Sequence, residues 1–211
     1  MALASGHDSA LSAPIYHMYR AAGLLSEERS DARRAVRPFT GHASGNAFGE
    51  GAVTLVLETT EHARARGAVP LAKLRGFRYG NNGAHPLSVD KEGGRATTLI
   101  NELLARRGVS ADDIGFVVGH GNGVPQSDRS EKLYMERVFG TRAAALPLLS
   151  VKPIYGHLLG ASSALNVAAA ALLLHHRRPS RDGDDLTAPA AGLAVSFGIG
   201  GHNSVTLLER A

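Results

Sequence analysis

The order of short apolar runs and helix-spaced segments from about residue 71 onward predicts an α/β fold, a sheet with helices packed against it. Three observations carry this expectation. Strand-like runs such as "IGFVV" and "GLAVSF" alternate with segments whose apolar residues recur at helical spacing. Glycines stand at the ends of those runs, where turns are needed. The composition, 44% hydrophobic and 20% charged, is that of a chain that buries a core.

Taken in order, "SEERSDARRAVR" (Ser26 to Arg37) is polar and closed by Pro38, and reads as a solvated loop with at most a helical turn. Ala52 to Leu57 is apolar and β-rich, as expected of a buried strand. "TEHARARG" predicts a short helix with Thr60 as N-cap and Gly67 as its stop. Leu71 to Tyr79 has strand character and leads into a turn at Asn81 to Gly83. "TTLINELLARRG" places Leu99, Ile100, Leu103 and Leu104 on one helical face and ends at Gly108. "IGFVVGHG" is a strand that ends in a glycine-flanked histidine. "SDRSEKLYMERVFG" is an amphipathic helix starting near Ser127 or Asp128, and "LPLLSV" is a further short strand. A helix from His157, rich in alanine and serine, is expected to be central and buried, because small side chains let neighbours approach closely. "HHRRPSRDGDD" is the turn after it, with His175 to Arg178 suited to the negative end of the helix dipole. Two strands around a glycine-rich turn close the chain in "GLAVSFGIGGHNSVTLLER".

Composition excludes several classes of function. The chain has no cysteine, which removes disulfides, thiolate metal sites and a cysteine nucleophile of its own. The formal charge of +4 is mild, and the basic residues lack the aromatic interleaving of a nucleic-acid surface. The nearest approach to the roughly 18 apolar residues of a membrane span is the run from Leu158 to Leu174. It carries two serines and an asparagine, so no span is expected. The N-terminus lacks a basic start followed by an apolar stretch, and the expectation is a cytoplasmic protein.

Two histidines stand where a strand meets a turn, His120 in "VVGHGNG" and His157 in "KPIYGHLLG". Active-site groups in α/β folds gather at strand C-termini beside helix N-termini. There the helix dipole disfavours an imidazolium, which keeps the ring neutral and able to donate a hydrogen bond. Two such rings with Lys152 form a candidate oxyanion site. Either histidine alone is better explained as the cap of a turn or a satisfied core polar group; the two together, with Lys152, weigh the readings evenly. The ten histidines show none of the common zinc spacings, so no metal is expected. "GASSA" around Ser162 lacks the second glycine of a nucleophile elbow, and neither "GHGNG" nor "GIGGHN" matches a phosphate loop.

These segments resemble, in order, four motifs of the β-ketoacyl–carrier-protein synthases, condensing enzymes of fatty acid and polyketide assembly with the thiolase fold. "RPFTGHASGNAFGEGAVTLVLE" is similar to the family's "RPFD…DGFVxGEGAGxLVLE", and "GHGNGVPQSDRSEK" to "HGTxTxxxDxxE". "SVKPIYGHLLGAS" resembles "SxKxxxGHxxGAA", and "SFGIGGHNSVTLL" resembles "SFGFGGxNxxLV". "ALASGHDS" resembles the family's "AGGxD" strand end. The resemblance implies a thiolase-like fold holding essentially the C-terminal half, with a mixed sheet flanked by helices. On that reading residues 1–58 are the remnant of the first half, 59–70 a connecting helix and linker, and 71–211 the second half.

The resemblance further implies that His120 and His157 assist decarboxylation of a malonyl unit and stabilise its enolate, with Lys152 at the family's lysine. Asp128 matches a structural aspartate. Phe197 and Ile199 fall in the glycine-rich turn, where Ile199 replaces a gating phenylalanine, and Asn166 replaces a glutamate. Asn122 and Val124 stand where the family binds the phosphopantetheine arm through two threonines. The family's cysteine lies upstream of the first matching segment. "GVPQSDRSE…RVFG" also resembles chain-length factors, the synthase-like subunits that lack the nucleophile. The expectation is therefore a chain-length-factor-like subunit that pairs with a full-length ketosynthase, binds no cofactor itself and meets the phosphopantetheine arm of acyl carrier protein indirectly. The alternative is one half of a split ketosynthase, supplying both histidines to a cysteine-bearing partner.

Overall fold

The computed structural model describes residues 1–83, 89–176 and 190–211. Seven strands and six α-helices are described: β1 (Ala2–Asp8), α1 (Ala13–Ala21), β2 (Gly51–Leu57), α2 (Thr60–Ala65), β3 (Lys73–Asn81) and α3 (Gly94–Arg107) come first. They are followed by β4 (Ile114–Val118), α4 (Pro125–Phe139), β5 (Leu148–Leu149), α5 (Lys152–Tyr155), α6 (Ser162–His176), β6 (Ala191–Gly198) and β7 (His202–Glu209). From β3 onward this is the predicted alternation of strand and helix.

The main sheet is mixed, in the order β3-β7-β6-β4-β5. β6 and β7 form an antiparallel hairpin whose tip needs Gly200 and Gly201 at φ 88° and 80°. β4 runs parallel to both β5 and β6. Its residues Ile114, Phe116, Val117 and Val118 are buried, because helices cover both faces at that point. On one face α3 and α4 pack through Leu99, Ile100, Leu103, Tyr134 and Met135 against Val117, Leu193, Val195 and Leu207. On the other, Ala170 and Leu174 of α6 meet Phe116, Val118, Ala194 and Leu208. The Phe116 ring lies directly over Gly192, where a Cβ would come within 2.3 Å of it. Burial of a side chain such as Leu174 or Phe116 stabilises by about 1.5–3 kcal/mol.

Beyond α6 lies a second, two-stranded sheet in which β1 and β2 pair antiparallel, Ala2 opposite Leu57 and Asp8 opposite Gly51. α6 is thus held between two sheets, and Gly6 of β1 sits against Gly160 and Ala164. Among the described residues, Leu159–His176 is the one helical stretch long and apolar enough to cross a membrane. α6 contacts β1, β2, β4, β6 and β7, but of its side chains only Ser162, Asn166, Ala170, Ala171 and Leu174 are buried, so the helix is central but is not covered all round as expected.

Several boundaries differ from the sequence reading for local reasons. The cap of α2 is Thr59, whose hydroxyl accepts from His62 N–H, and Thr60 is the first helical residue. β2 is half exposed, with Val56 at 55%, since β1 is its single strand neighbour and α6 covers one face. The segment 26–37 is not wholly solvated, for Ser26, Ala35 and Val36 are buried. α4 begins at Pro125, a residue whose fixed φ and missing N–H suit a first helical turn. α6 begins at Ser162 rather than His157, because Gly156 at φ 74° breaks the chain direction and a 3-10 turn follows at Leu159–Ala161. The expected turn after α6 lies, over 177–185, outside the described residues.

Candidate active site

β4 ends at Val118, and the chain turns at once through Gly119, His120 and Gly121. The turn is tight: Gly121 has φ 43°, and a Cβ on Gly119 would meet the Glu131 carboxylate. That carboxylate, on α4 and fully buried, accepts the backbone N–H of His120 at 2.7 Å and of Gly121 at 2.5 Å, and the Tyr134 hydroxyl at 3.1 Å. Burial pushes Glu131 up, and the two backbone N–H groups pull it back toward the carboxylate. Three donors converging on two oxygens are satisfied by the ionised form. Asp128, one turn earlier, accepts Phe39 N–H at 2.8 Å and Gly123 N–H at 3.2 Å, tying the loop before β2 to the start of α4.

His157 is positioned from a different quarter. Its backbone forms a parallel bridge with Phe48: His157 N–H donates to Ala47 O at 2.7 Å, and Gly49 N–H donates to His157 O at 3.1 Å. Gly49 is required, since a Cβ there would lie 2.1 Å from Tyr155 O. The imidazole is then pinned at Nδ1 by Leu159 N–H at 3.2 Å and by the Ser162 hydroxyl at 3.0 Å. Leu159 adopts φ 41°, a left-handed conformation uncommon for leucine.

The two rings meet edge to face with centroids 5.3 Å apart. His120 Nδ1 accepts Phe197 N–H at 3.3 Å. A backbone N–H can only donate, so Nδ1 of each ring is the bare nitrogen and Nε2 carries the hydrogen. Burial is the main reason both imidazoles are held well below their ordinary pKa; the Lys152 ammonium adds to it, as does His157 for His120. Neutrality therefore has a different cause from the helix dipole expected from the sequence.

Both histidines wall a cleft of about 760 Å³, together with Asn122, Val124, Phe197 and Ile199. Lys152 does not reach the cleft wall. Buried on α5, its Nζ donates to His120 O, so it acts on the loop rather than as a third donor at the expected oxyanion site. Burial lowers its pKa. Asn166 also stands behind the wall, with Nδ2 within 3.1 Å of Gly119 O, Val195 O and Ser196 Oγ. Val124 offers no hydrogen-bonding side chain, and Asn122 Oδ1 is occupied by Val124 N–H at 3.0 Å. Of the two positions matched to pantetheine-binding threonines, only Asn122 keeps a donor. Ile199 is 54% exposed at the hairpin tip. Among the described residues no group of three or more histidine, aspartate or glutamate side chains is arranged to hold a metal.

The sequence reading did not single out Glu131, although it lies in "SDRSEK" three residues after Asp128, one turn further on the same helical face. Asp8, Asn46 and Ser127, which also wall the cleft, lie inside the matched segments without having been singled out as site residues, and Tyr19 lies outside them.

This architecture, with paired histidines at the sheet's C-terminal edge, is a thiolase-like α/β fold. Known proteins agree. The family model of the beta-ketoacyl synthase C-terminal domain matches residues 71–180, and that of the beta-ketoacyl synthase N-terminal domain matches residues 1–63. The chain belongs to the β-ketoacyl synthase family. A "putative polyketide beta-ketoacyl synthase 1" of Streptomyces cyaneus is 33% identical over 223 residues, covering 98% of this chain and 53% of the relative. A type II polyketide synthase acyl carrier protein in complex with its ketosynthase bound to the hexaketide superposes with a TM-score of 0.89 at 26% identity. That match covers 99% of this chain and 56% of the other. The ishigamide ketosynthase/chain length factor gives a TM-score of 0.82 at 27% identity, with 99% of this chain and 53% of the other covered. The chain spans about half the length of the curated relatives it matches.

Proposed function

We propose that this chain supplies the decarboxylating, enolate-stabilising part of a ketosynthase that elongates a polyketide chain carried on acyl carrier protein. The single observation that carries the reading is the pairing of two neutral imidazoles, each with Nε2–H free of the backbone contact that fixes Nδ1, on one cleft. The carbonyl oxygen of a malonyl thioester accepts from the two Nε2–H groups. As the carboxylate leaves as carbon dioxide, its bonding electrons pass into the thioester, and the oxygen becomes an enolate oxyanion. Neutral donors stabilise that charge in a dry site without handing over a proton and quenching the carbanion. The enolate carbon then attacks an acyl thioester and expels its thiolate. These 211 residues include no cysteine, so the thiol that holds the acyl group comes from outside them.

Exposed apolar surface supports a protein partner. Phe77 and Tyr79 are 64% and 61% exposed on the face of the main sheet away from α3, and Val56 on β2, in the second sheet, is 55% exposed. The likeness to a carrier protein–ketosynthase complex and to a ketosynthase/chain length factor supports carrier-borne substrates and a ketosynthase-type partner.

Release of carbon dioxide from a malonyl carrier protein, by this chain with the polypeptide that it purifies with, tests the reading. Replacing either His120 or His157 by alanine is expected to lower release by about 10²–10³. Unchanged release in both variants would sink it.

A second reading, a chain-length-factor-like subunit that shapes its partner's acyl tunnel, is favoured by Val124 and by the occupied Asn122 oxygen, which weaken a pantetheine site. On that reading the double alanine variant still assembles and condensation survives.

A further inference from the structure

Glycine flanks His120 on both sides, and the fold uses both bare positions for one neighbour. A Cβ on Gly119 would lie 3.4 Å from Phe39 Cζ, and one on Gly121 would lie 3.0 Å from the same atom. The tip of a single ring, from the loop before β2, thus fills the space that two side chains of the turn would need. His120, between the two glycines, walls the cleft. Phe39 itself does not wall the cleft, and decarboxylation gives it no direct part.

The backbone holds Phe39 there under strain. Its φ is 64°, a left-handed conformation that is a genuine outlier for a bulky side chain. Such backbone persists only where the surroundings over-determine it. Here Phe39 N–H donates to Asp128 Oδ2 at 2.8 Å, and Asp128 Oδ1 accepts Gly123 N–H at 3.2 Å. One carboxylate therefore carries both the Phe39 backbone and the loop after His120. Thr40 Oγ1–H donates to Arg37 O at 2.8 Å and closes the turn around Pro38 and Phe39. A glycine at 39 would adopt this φ freely, so what the strain retains is the ring.

The other contacts on the His120 turn hold its polar groups. Glu131 accepts the N–H groups of His120 and Gly121, while Lys152 and Ser150 donate to their carbonyls. A ring packed against both glycines opposes the remaining freedom, movement of the whole turn toward the loop before β2. We propose that Phe39 is a positioning residue: its ring buttresses the Gly119–Gly121 turn and so keeps the His120 Nε2–H in register with that of His157. The inference rests on the condensing function proposed above. Without the ring the turn is free to shift, and the 3.3 Å contact from Phe197 N–H to His120 Nδ1 is lost with it.

Imidazole nitrogen-15 spectra of the full chain, assigned with His120→Asn and His157→Asn, test this beside carbon dioxide release from malonyl carrier protein. Phe39→Gly removes the ring and relieves the strain; Phe39→Asn, another residue that accepts a positive φ, is the second ring-free variant. In both, His120 is expected to show mixed tautomers while His157 keeps its bare Nδ1. For release, kcat should fall about 10–10²-fold with KM within about twofold. Phe39→Met, whose flexible chain reaches the same two glycines, should restore both readings. An unchanged His120 ring in the ring-free variants overturns the positioning role. An equal change at His157 marks general loosening and also overturns it, as does failure of Phe39→Met to recover. A displaced His120 ring with undiminished release bears out the positioning and removes the condensing reading alone.

Discussion

His120 and His157 stand with ring centroids 5.3 Å apart and planes at 79°, and each takes a backbone N–H onto Nδ1, from Phe197 and Leu159 respectively. One arrangement of main chain and burial thus sets both the tautomer and the charge of each ring. A protonated ring would lose its amide partner and place a cation in a buried site beside Lys152.

Acid should therefore unfold this chain early. Both folded pKa values are depressed below the ordinary value near 6.5, so the unfolded state binds more protons as pH falls through and below that value. The stabilisation is full above about pH 6.5 and declines by about 1.4 kcal/mol per histidine for each pH unit below it, down to the folded pKa values. Urea midpoints at pH 7.5 and 5.5 should show this drop, and replacing both histidines by asparagine should flatten it.

Glu131 is expected to be a main support of the His120 turn. Glu131→Ala strands three buried donors and should cost about 3–5 kcal/mol in urea unfolding. Glu131→Gln keeps one oxygen but turns an NH₂ toward an N–H donor, with a smaller loss and a displaced His120, visible as altered ring resonances.

Asn166→Leu removes the N–H groups that face Gly119 O, Val195 O and Ser196 Oγ. Leaving those acceptors unpaired in the core predicts a loss of about 2–4 kcal/mol. Chemical unfolding checks it, and a loss below about 0.5 kcal/mol would show that relaxation or water replaces the asparagine.

Gly156→Ala acts on the other histidine. At φ 74° a Cβ is strained, and it would lie 2.8 Å from Gly49 N and 2.9 Å from Phe48 O. Separation of this contact loosens the bridge that holds His157, so destabilisation by about 1–3 kcal/mol and loss of decarboxylation should appear together.

Much of this was legible in the sequence, for physical reasons that can be named. Strand and helix periods differ, so the alternation from Lys73 to Glu209 could be read without coordinates, and the glycines flanking His120 marked a turn at a strand end; His157, expected in the same setting, instead follows α5 and Gly156 and bridges to Phe48. Spacing cannot tell where a helix axis begins once a glycine intervenes, which is why α6 was expected to begin at His157 and to supply the dipole. Lys152 was expected to face the oxyanion, because sequence gives proximity along the chain but not which side of a wall a long side chain takes. Glu131 folds back onto amides ten and eleven residues earlier, and nothing in its spacing announces that. Asn46 enters the cleft through a bridge to Leu25, a contact that only the folded chain reveals.

Imidazole nitrogen-15 spectra across pH 5 to 8 address the pair of donors most directly. Both buried rings should report bare Nδ1 and protonated Nε2, unchanged well below pH 6.5. A ring that titrates near 6.5, or that carries its hydrogen on Nδ1, would contradict the proposed donor pair.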